Sequence, residues 1–153
     1  MAAVSFDVVQ RFDVSPQVLW SELTDWKAHE KWIPATTVSI HTDPATNGVG
    51  TRFTAVTGYG PLALPDRMEV VQLDWDETSR TGRCTVEKSG PVLFGTAGFE
   101  VSPTSTGSQM DWFEKVDVKF LPGFLTPIVT RLSAFGFQMG MRKLAKDLAS
   151  RSS

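Results

Sequence analysis

The chain has 153 residues, with 15 Lys and Arg against 17 Asp and Glu, a net charge of −2 and 41% hydrophobic residues. This length predicts one domain spanning residues 1–153, and the composition is that of a folded globular protein rather than a disordered one. The near-neutral charge excludes an overall electrostatic attraction to nucleic acid or to anionic lipid.

The N-terminal residues predict a strand followed by helical turns. Residues 4–14 alternate between apolar and polar side chains, which is typical of a strand with one buried face, and Gln10 is a polar residue in the inward register. Ser15 and Pro16 provide a helix cap and a proline for the first helical position. We therefore expect a helix from Pro16 and a second short helical turn that ends before Pro34.

The middle of the chain reads as strands separated by short turns. Residues 38–40 predict a strand, and a loop rich in turn residues follows at 43–50. Five more candidate strands lie at 51–57, 67–75, 80–88, 93–102 and 108–120. Turn signals at 76–78, 89–91 and 103–107 separate several of them. Because these connections are short, neighbouring strands should run antiparallel.

The C-terminal residues predict one long helix that begins near Thr126 and Pro127. At about 100° per residue, its apolar side chains fall on two opposite stripes. The first stripe contains Ile128, Leu132, Phe135 and Met139. The second stripe contains Phe137, Met141, Leu144 and Leu148. Cationic residues continue the first stripe, so the second stripe should pack on the sheet. The first stripe should then meet something else, or the helix should bend near Gly136 or Gly140.

This order of elements, with several local signatures, resembles the polyketide cyclase/dehydrase and lipid-transport family of the START-like and birch-pollen-allergen-like helix-grip superfamily. The residues that carry the resemblance are 14–16, 18–20, 25–26, 31–34, 48–51, 98–101 and 107–112. The resemblance implies an α+β fold in which a curved antiparallel sheet of about seven strands wraps around a long C-terminal helix, with two short helices after the first strand. It also implies a cavity for a hydrophobic molecule. Members of this family share no fixed catalytic set, so no catalytic residue carries over from it.

Glu114 is the most informative polar residue of the last strand. Its alternation with Trp112 and Val116 turns Glu114 inward, where a buried carboxylate is costly unless it is paired or protonated. In the resembling folds the first and last strands are neighbours, which would bring Gln10 beside it. Glu114 is then a ligand anchor or a general acid/base. The alternatives are a structural pair completed by Arg142, or a bulge that turns Glu114 outward.

The aromatic residues have two interpretations that converge in a hollow fold, because core side chains are also cavity walls. The predicted ligand-binding residues are Phe53, Tyr59, Phe99, Trp112, Glu114, Phe135 and Met139. No catalytic residue is assigned firmly; Glu114 is the best candidate and Tyr59 the second.

Two loops, 59–65 and 120–125, are unusually apolar for solvated connections. We expect them to meet at one end of the fold and to form an apolar rim around the cavity entrance, where they would serve ligand entry, membrane contact or dimerisation. Leu62, Leu64 and Phe124 are then candidates for transient membrane contact, and a homodimer is the alternative use of the same surface.

The remaining chemistry-bearing residues predict no cofactor and no metal. His29 and His41 have no ligand partners at suitable spacing and read as solvated side chains. The single Cys84 shares strand parity with Val86 and reads as a small buried hydrophobe. With no internal disulfide, no secretory signal and no apolar run of the ~20 residues that span a membrane, we expect a cytoplasmic protein.

Three functional hypotheses remain. The first is non-enzymatic binding or transport of a hydrophobic small molecule or lipid. The second is a cyclase or dehydratase that acts on an aromatic or polyketide substrate through one acid/base group. The third is a protein-interaction module, which predicts a filled core and a dimer in solution.

Overall fold

The computed structural model describes residues 2–43 and 46–152. Pro44 and Ala45, which belong to the predicted loop at 43–50, lie outside the described residues. The helices are α1 (Pro16–Leu23) and α2 (Thr126–Ser152), with 3-10 turns at Trp26–Lys31, Gly60–Leu62 and Gly123–Leu125. The strands are β1 (Ala2–Phe12), β2 (Thr36–Ile40), β3 (Arg52–Thr57), β4 (Leu64–Asp76), β5 (Thr81–Pro91), β6 (Leu93–Pro103) and β7 (Ser108–Val118).

All seven strands form one antiparallel sheet in the order β1-β7-β6-β5-β4-β3-β2. The first and last strands of the sequence are therefore neighbours, as predicted. The ladder between β4 and β5 is interrupted at two places, between Asp66 and Met68 and between Val70 and Gln72. Such interruptions bend a strand and increase its twist, which helps the sheet to curve.

The short helices after β1 form where the sequence predicts them. The Ser15 hydroxyl accepts a hydrogen bond from the Val18 amide at 3.3 Å, and Pro16 occupies the first turn of α1. Leu19 and Leu23 of α1 are fully buried against the sheet. The second helical stretch, Trp26–Lys31, is a 3-10 turn whose first turn is capped by Asp25.

Two predicted boundaries are wrong. Residues 89–91 were expected to form a turn, but β5 continues to Pro91 and β6 begins at Leu93. Phe120 was expected to end the last strand. Instead β7 ends at Val118, and Phe120 adopts a φ of 65° and leaves its side chain 83% exposed. The chain turns here because it must leave the sheet before α2 begins.

Helix α2 is anchored by its C-terminal half. Met141, Leu144 and Leu148 of the second stripe are buried, as predicted. Gly140 lets the helix approach Trp32 closely, because a Cβ at this position would lie 2.7 Å from the Trp32 carbonyl oxygen. By contrast, none of the residues 126–139 is fully buried. Within the described residues, no helix is both long and apolar enough to cross a bilayer.

Candidate functional site

A cavity of about 160 Å³ lies between the inner face of the sheet, the Trp26–Lys31 turn and one residue of α2, Phe137. Its walls combine rings, aliphatic side chains and a few polar groups. The lining residues include Trp26, His29, Ile33, Thr36, Val38, Phe53, Ala55, Thr57, Asp66, Met68, Val86, Lys88, Ala97, Phe99, Trp112, Glu114 and Phe137. This is a partly enclosed and mainly apolar space of the kind that binds small molecules.

Small residues of β6 help to keep this space open. Gly95 and Ala97 take the inward register of β6, at the positions opposite Val116 and Glu114 of β7. Two positions further along the strand, the inward residue is the large ring of Phe99, which is 1% exposed. The sheet surface is therefore filled beside Phe99 and hollow beside Ala97, which lines the cavity.

Aromatic rings form one side of the cavity. The Trp26 and Phe53 rings stack with their centroids 4.8 Å apart. The rings of Phe99 and Trp112 stack at 5.4 Å, and Phe137 lies 4.4 Å from Trp112 between ring centroids. Contacts at these separations are favourable and hold the rings in place, so this wall is preorganised for a flat apolar ligand.

Three charged side chains form another part of the wall: Asp66 of β4, Lys88 of β5 and Glu114 of β7. We call them the charged triad. The Lys88 Nζ lies 2.6 Å from Asp66 Oδ2 and 3.2 Å from Glu114 Oε2. The Lys88 side chain is only 5% exposed, and each carboxylate side chain is 14% exposed. Burial of two charges of one sign around one of the other is costly, so this arrangement does not follow from stability alone.

The triad shifts the protonation equilibria of its members. Burial alone would lower the pKa of the Lys88 ammonium, but the Glu114 and Asp66 carboxylates outweigh burial and raise this pKa. Burial raises the pKa of the Asp66 carboxyl despite the opposing effect of Lys88. Lys88 is therefore a fixed cation at neutral pH, whereas Asp66 is the carboxyl made easier to protonate.

Two polar atoms in the cavity wall lack protein partners. Asp66 Oδ1 and the Trp112 Nε1–H are buried and have no hydrogen-bond partner among the described residues. Most buried polar atoms in proteins do have a partner. Two residues of the wall, Asp66 and Trp112, therefore each hold one unpaired polar atom, an acceptor and a donor.

The structure brings four of the predicted ligand-binding residues together. Phe53, Phe99, Trp112 and Glu114 line the cavity, and Glu114 points inward as its strand register predicts. Their role in ligand binding stays a prediction.

Three predicted ligand-binding residues lie outside the cavity. The side chains of Tyr59, Phe135 and Met139 are 80%, 64% and 47% exposed and do not line it. Tyr59 lies in the loop after β3. Phe135 and Met139 belong to the first stripe of α2, which faces away from the sheet because the opposite stripe packs inward.

The predicted partners of Glu114 are also wrong. The pairing of β1 with β7 places Phe6, not Gln10, opposite Glu114, while Gln10 lies opposite Met110. The Gln10 side chain instead accepts a hydrogen bond from Gln138 of α2 at 2.9 Å. Arg142 is exposed and does not complete the pair; Lys88 does.

Sequence reasoning missed Lys88 and Asp66, although a signal was present. Lys88 has the strand parity of buried Cys84 and Val86, and Asp66 has the parity of buried Val70. A charged residue in an inward register indicates a functional or paired site. Their proximity, however, depends on strand pairings that parity does not specify.

His29 was expected to be solvated, but it is buried and lines the cavity. Its Nε2 lies 2.8 Å from the Leu23 carbonyl oxygen. Burial lowers its pKa to about 4, so the ring is neutral at pH 7 and Nε2–H donates to that carbonyl. His41 is exposed and contacts Thr54.

Cys84 is fully buried as predicted, and burial raises the pKa of its thiol to about 12. Such a thiol is inert as a nucleophile. Across residues 2–43 and 46–152, no cluster of three or more His, Cys, Asp or Glu side chains is arranged to hold a metal ion.

A larger depression of about 620 Å³ lies on the sheet face opposite the cavity. Exposed charged side chains line it, among them Arg52, Arg67, Glu69 and Glu87. It is an open groove between solvated residues, so the enclosed cavity is the better candidate site.

The first stripe of α2 and several apolar residues of the two predicted rim loops are exposed. We call this set the outer apolar surface; it contains Tyr59, Leu62, Phe120, Phe124, Ile128, Leu132, Phe135 and Met139, each between 47% and 87% exposed. Leu64, predicted to belong to the rim, is half-buried at the start of β4. Isolated exposed apolar residues are ordinary, but so many in two loops and one helix stripe indicate a contact surface.

Solved structures with the same architecture support the fold. A START superfamily protein from Mycobacterium smegmatis has a TM-score of 0.66 at 15% identity, covering 97% of this chain and 99% of that one. The protein TTHA0849 from Thermus thermophilus has a TM-score of 0.66 at 14% identity, with 99% of each chain covered. Ara h 8.0201 has a TM-score of 0.59 at 18% identity, covering 95% of this chain and 99% of that one.

A search of curated proteins found no match. The family described as polyketide cyclase/dehydrase and lipid transport matches residues 3–151, which is nearly the whole chain. The helix-grip architecture with an internal cavity agrees with that match. The chain therefore belongs to the polyketide cyclase/dehydrase and lipid transport family.

Proposed function

We propose that this protein binds a small, mainly apolar molecule in the cavity beneath α2 without changing it chemically. The enclosed, aromatic-walled cavity is the observation that carries the proposal. Removing the apolar surface of a ligand from water supplies the binding energy, at about 25 cal/mol per Å² of buried area. The stacked rings of Phe99 and Trp112 provide a flat wall against which a planar molecule fits.

The volume limits the size of this molecule. A cavity of roughly 150 Å³ lined by apolar side chains takes up benzene, whereas drug-sized ligands occupy about 300–1,000 Å³. At about 160 Å³, the present cavity fits one ring or a comparable aliphatic group. A sterol or a phospholipid chain would require the cavity to widen.

A cavity-filling substitution tests this proposal. Ala55 of β3 lines the cavity, so Ala55→Phe should occupy the space and abolish uptake of toluene, measured by isothermal titration calorimetry. Val9→Phe is the matched control because Val9 is 52% exposed and its strand register turns it away from the cavity. The control should bind toluene like the unmodified protein.

Equal toluene binding by the folded Ala55→Phe and Val9→Phe variants would contradict cavity binding. Native mass spectrometry of protein purified from its own host would complement this test, because a retained molecule would reveal its chemical class by mass.

Proton-transfer catalysis is the second candidate function, and the raised pKa of Asp66 inside an enclosed cavity favours it. A dehydratase would protonate a leaving hydroxyl, and Asp66 and Glu114 are the carboxyl groups that face the cavity. Under this function, the Asp66→Asn and Glu114→Gln variants would retain a substrate that the unmodified protein releases lighter by one water. Under the binding function, all three proteins would retain a molecule of the same mass.

We further propose that the outer apolar surface touches an anionic membrane rather than a second copy of the chain. Residues 119–146 carry five cations, Lys119, Arg131, Arg142, Lys143 and Lys146, and no acidic residue. Anionic headgroups complement these charges while the apolar side chains enter the interface. A two-fold dimer through the same surface would instead bring like charges together.

Vesicle co-sedimentation tests this contact. Binding should require phosphatidylglycerol in phosphatidylcholine vesicles and should fall strongly in a Leu132→Ser, Phe135→Ser variant. Val9→Ser, which removes an exposed apolar side chain from the sheet face, should leave binding unchanged. A mass that doubles in solution and falls back in the helix variant would contradict the membrane proposal and favour a homodimer.

A further inference from the structure

We propose that the charged triad is the recognition site for a hydroxyl group, so that the ligand is a small aromatic or alicyclic alcohol or phenol. This inference rests on the proposed binding function and specifies the ligand of the same cavity. It distinguishes a hydroxyl compound from a hydrocarbon, a carboxylic acid and an amine of equal size.

Lys88 has more hydrogen-bond donors than the triad uses. An ammonium has three N–H donors. The contacts of Lys88 Nζ with Asp66 Oδ2 and Glu114 Oε2 use two of them. The remaining N–H is available to an acceptor that enters the cavity.

Asp66 Oδ1 is an unpaired acceptor in the same triad. This atom is buried and lacks a partner among the described residues, although it belongs to the carboxylate that contacts Lys88. A free acceptor therefore lies beside a free donor. A hydroxyl has one donor and two acceptor sites, so its oxygen can accept from Lys88 while its hydrogen is donated to Asp66 Oδ1.

Charge and hydrogen-bonding capacity disfavour the alternative polar groups. The triad contains two carboxylates and one ammonium, so its net charge of −1 repels a ligand carboxylate in a place where water screens poorly. A ligand ammonium would face Lys88 and, having no acceptor, would leave the remaining N–H of Lys88 unpaired. A neutral hydroxyl meets neither repulsion. Hydrogen bonds to charged groups are also stronger than those between neutral groups.

The rest of the wall suits the apolar part of such a ligand. Glu114 and Trp112 are both inward residues of β7, separated by one residue, and the Trp112 ring lies between those of Phe99 and Phe137. A ring bound against this wall is close to the triad, so a directly attached hydroxyl can reach it. The cavity volume of about 160 Å³ leaves room for such a compact molecule.

The test compares four probes of similar size: toluene, phenol, benzoate and benzylammonium. Affinities are measured by calorimetry for the unmodified protein and for the triple variant Asp66→Leu, Lys88→Met, Glu114→Leu. Replacing buried ions together by apolar residues is often neutral or stabilising, so this variant should fold. Glu87→Gln is the control, since Glu87 is an exposed carboxylate on the opposite face of β5.

The ratio of phenol to toluene affinity should fall at least about tenfold in the triple variant, since a hydrogen bond to a charged group has this strength. The ratio should be unchanged in Glu87→Gln, and toluene should still bind the triple variant. Using a ratio removes the difference in hydration between the two probes.

Three results would overturn the inference. An unchanged ratio of phenol to toluene affinity in the triple variant would mean that the triad does not recognise the hydroxyl. Tighter binding of benzoate or benzylammonium than of phenol would assign the triad to another group. In both cases toluene binding would leave the proposed binding function intact. If none of the probes bound to either protein, the inference and the proposed function would fail together.

Discussion

The C-terminal half of α2 turns its apolar stripe inward, whereas the N-terminal half leaves its apolar stripe facing solvent. Met141, Leu144 and Leu148 are at most 3% exposed, while Ile128, Leu132 and Phe135 are at least 57% exposed. Phe137, which lines the cavity, lies between these regions. The comparison shows that one helix has two parts: its second half completes the core, and its first half adds Phe137 to the cavity wall and leaves an apolar stripe exposed.

The largest expected effect concerns the charged triad in the cavity wall. Lys88→Met leaves the Asp66 and Glu114 carboxylates together without their cation, which should cost on the order of 3–5 kcal/mol in the free energy of unfolding. Urea unfolding at pH 7 measures this loss. The loss should shrink as the pH falls, because protonation removes the repulsion between the carboxylates. A triple apolar replacement of the triad should restore stability; if it is as unstable as Lys88→Met, an unpaired charge is not the cause.

In the packed region, Leu144→Ala should cost on the order of 2–5 kcal/mol, because this side chain is 1% exposed and its removal leaves a cavity. Thermal or urea unfolding measures the change. An unfolding free energy equal to that of the unmodified protein would mean that the C-terminal half of α2 does not complete the core.

Acid should destabilise the region on which the C-terminal half of α2 packs. His29 lies 4.7 Å from Trp32 between ring centroids, and Trp32 contacts α2 at Gly140. Burial lowers the pKa of His29 from 6.5 to about 4, against the opposing effects of its bond to Leu23 and of nearby Asp25 and Glu22. Above pH 6.5 the ring is neutral in both the folded and the unfolded protein, and its full contribution to the free energy of unfolding is present. About 3 kcal/mol of that free energy is lost as the pH falls to about 4, because the unfolded protein binds a proton that the folded protein does not.

Unfolding measured between pH 7 and pH 4 tests this dependence. His29→Gln should lower the free energy of unfolding at pH 7. It should also make this free energy depend less on pH, because the amide cannot gain a proton in this range. His41→Gln changes an exposed histidine and should keep the original slope. If the free energy of unfolding of His29→Gln and of the unmodified protein changed equally with pH, the pH dependence would not come from His29.

The smallest expected effect belongs to the exposed half. Leu132→Ala should change the free energy of unfolding by less than about 0.5 kcal/mol, because Leu132 is 66% exposed. The same substitution type at Leu144 makes the comparison direct. A loss at Leu132 equal to that at Leu144 would show that the first stripe is covered in solution, and a concentration-dependent loss would identify a second copy as the cover.

The sequence predicted the architecture well because the architecture depends on local signals. Alternation of apolar residues, the Ser15-Pro16 cap and short turns specify strands and helices independently of their partners. The inward position of Glu114 follows from the same alternation. The packed stripe of α2 was also predicted, since cations occupy the opposite face in its second half.

The site was harder to predict because it depends on register between distant strands. An offset of four residues along β1 decides whether Gln10 or Phe6 faces Glu114. Lys88 meets Glu114 only because β6, with small inward residues at 95 and 97, lies between their strands. The exposure of Tyr59, Phe135 and Met139 likewise depends on where α2 lies against the sheet, which periodicity alone does not determine.

The contact between Gly140 and Trp32 has a consequence for the range of molecules that this fold admits. Helix α2 is fastened at this point, and residues 126–139 beyond it bury no side chain completely. Phe137 is the α2 residue of the cavity wall, and its ring packs on Trp32 and Trp112, so a tilt of this segment that widened the cavity would break these two ring contacts. The resting volume is therefore a lower bound on the size of the largest guest, and admitting a larger guest costs the contacts of Phe137.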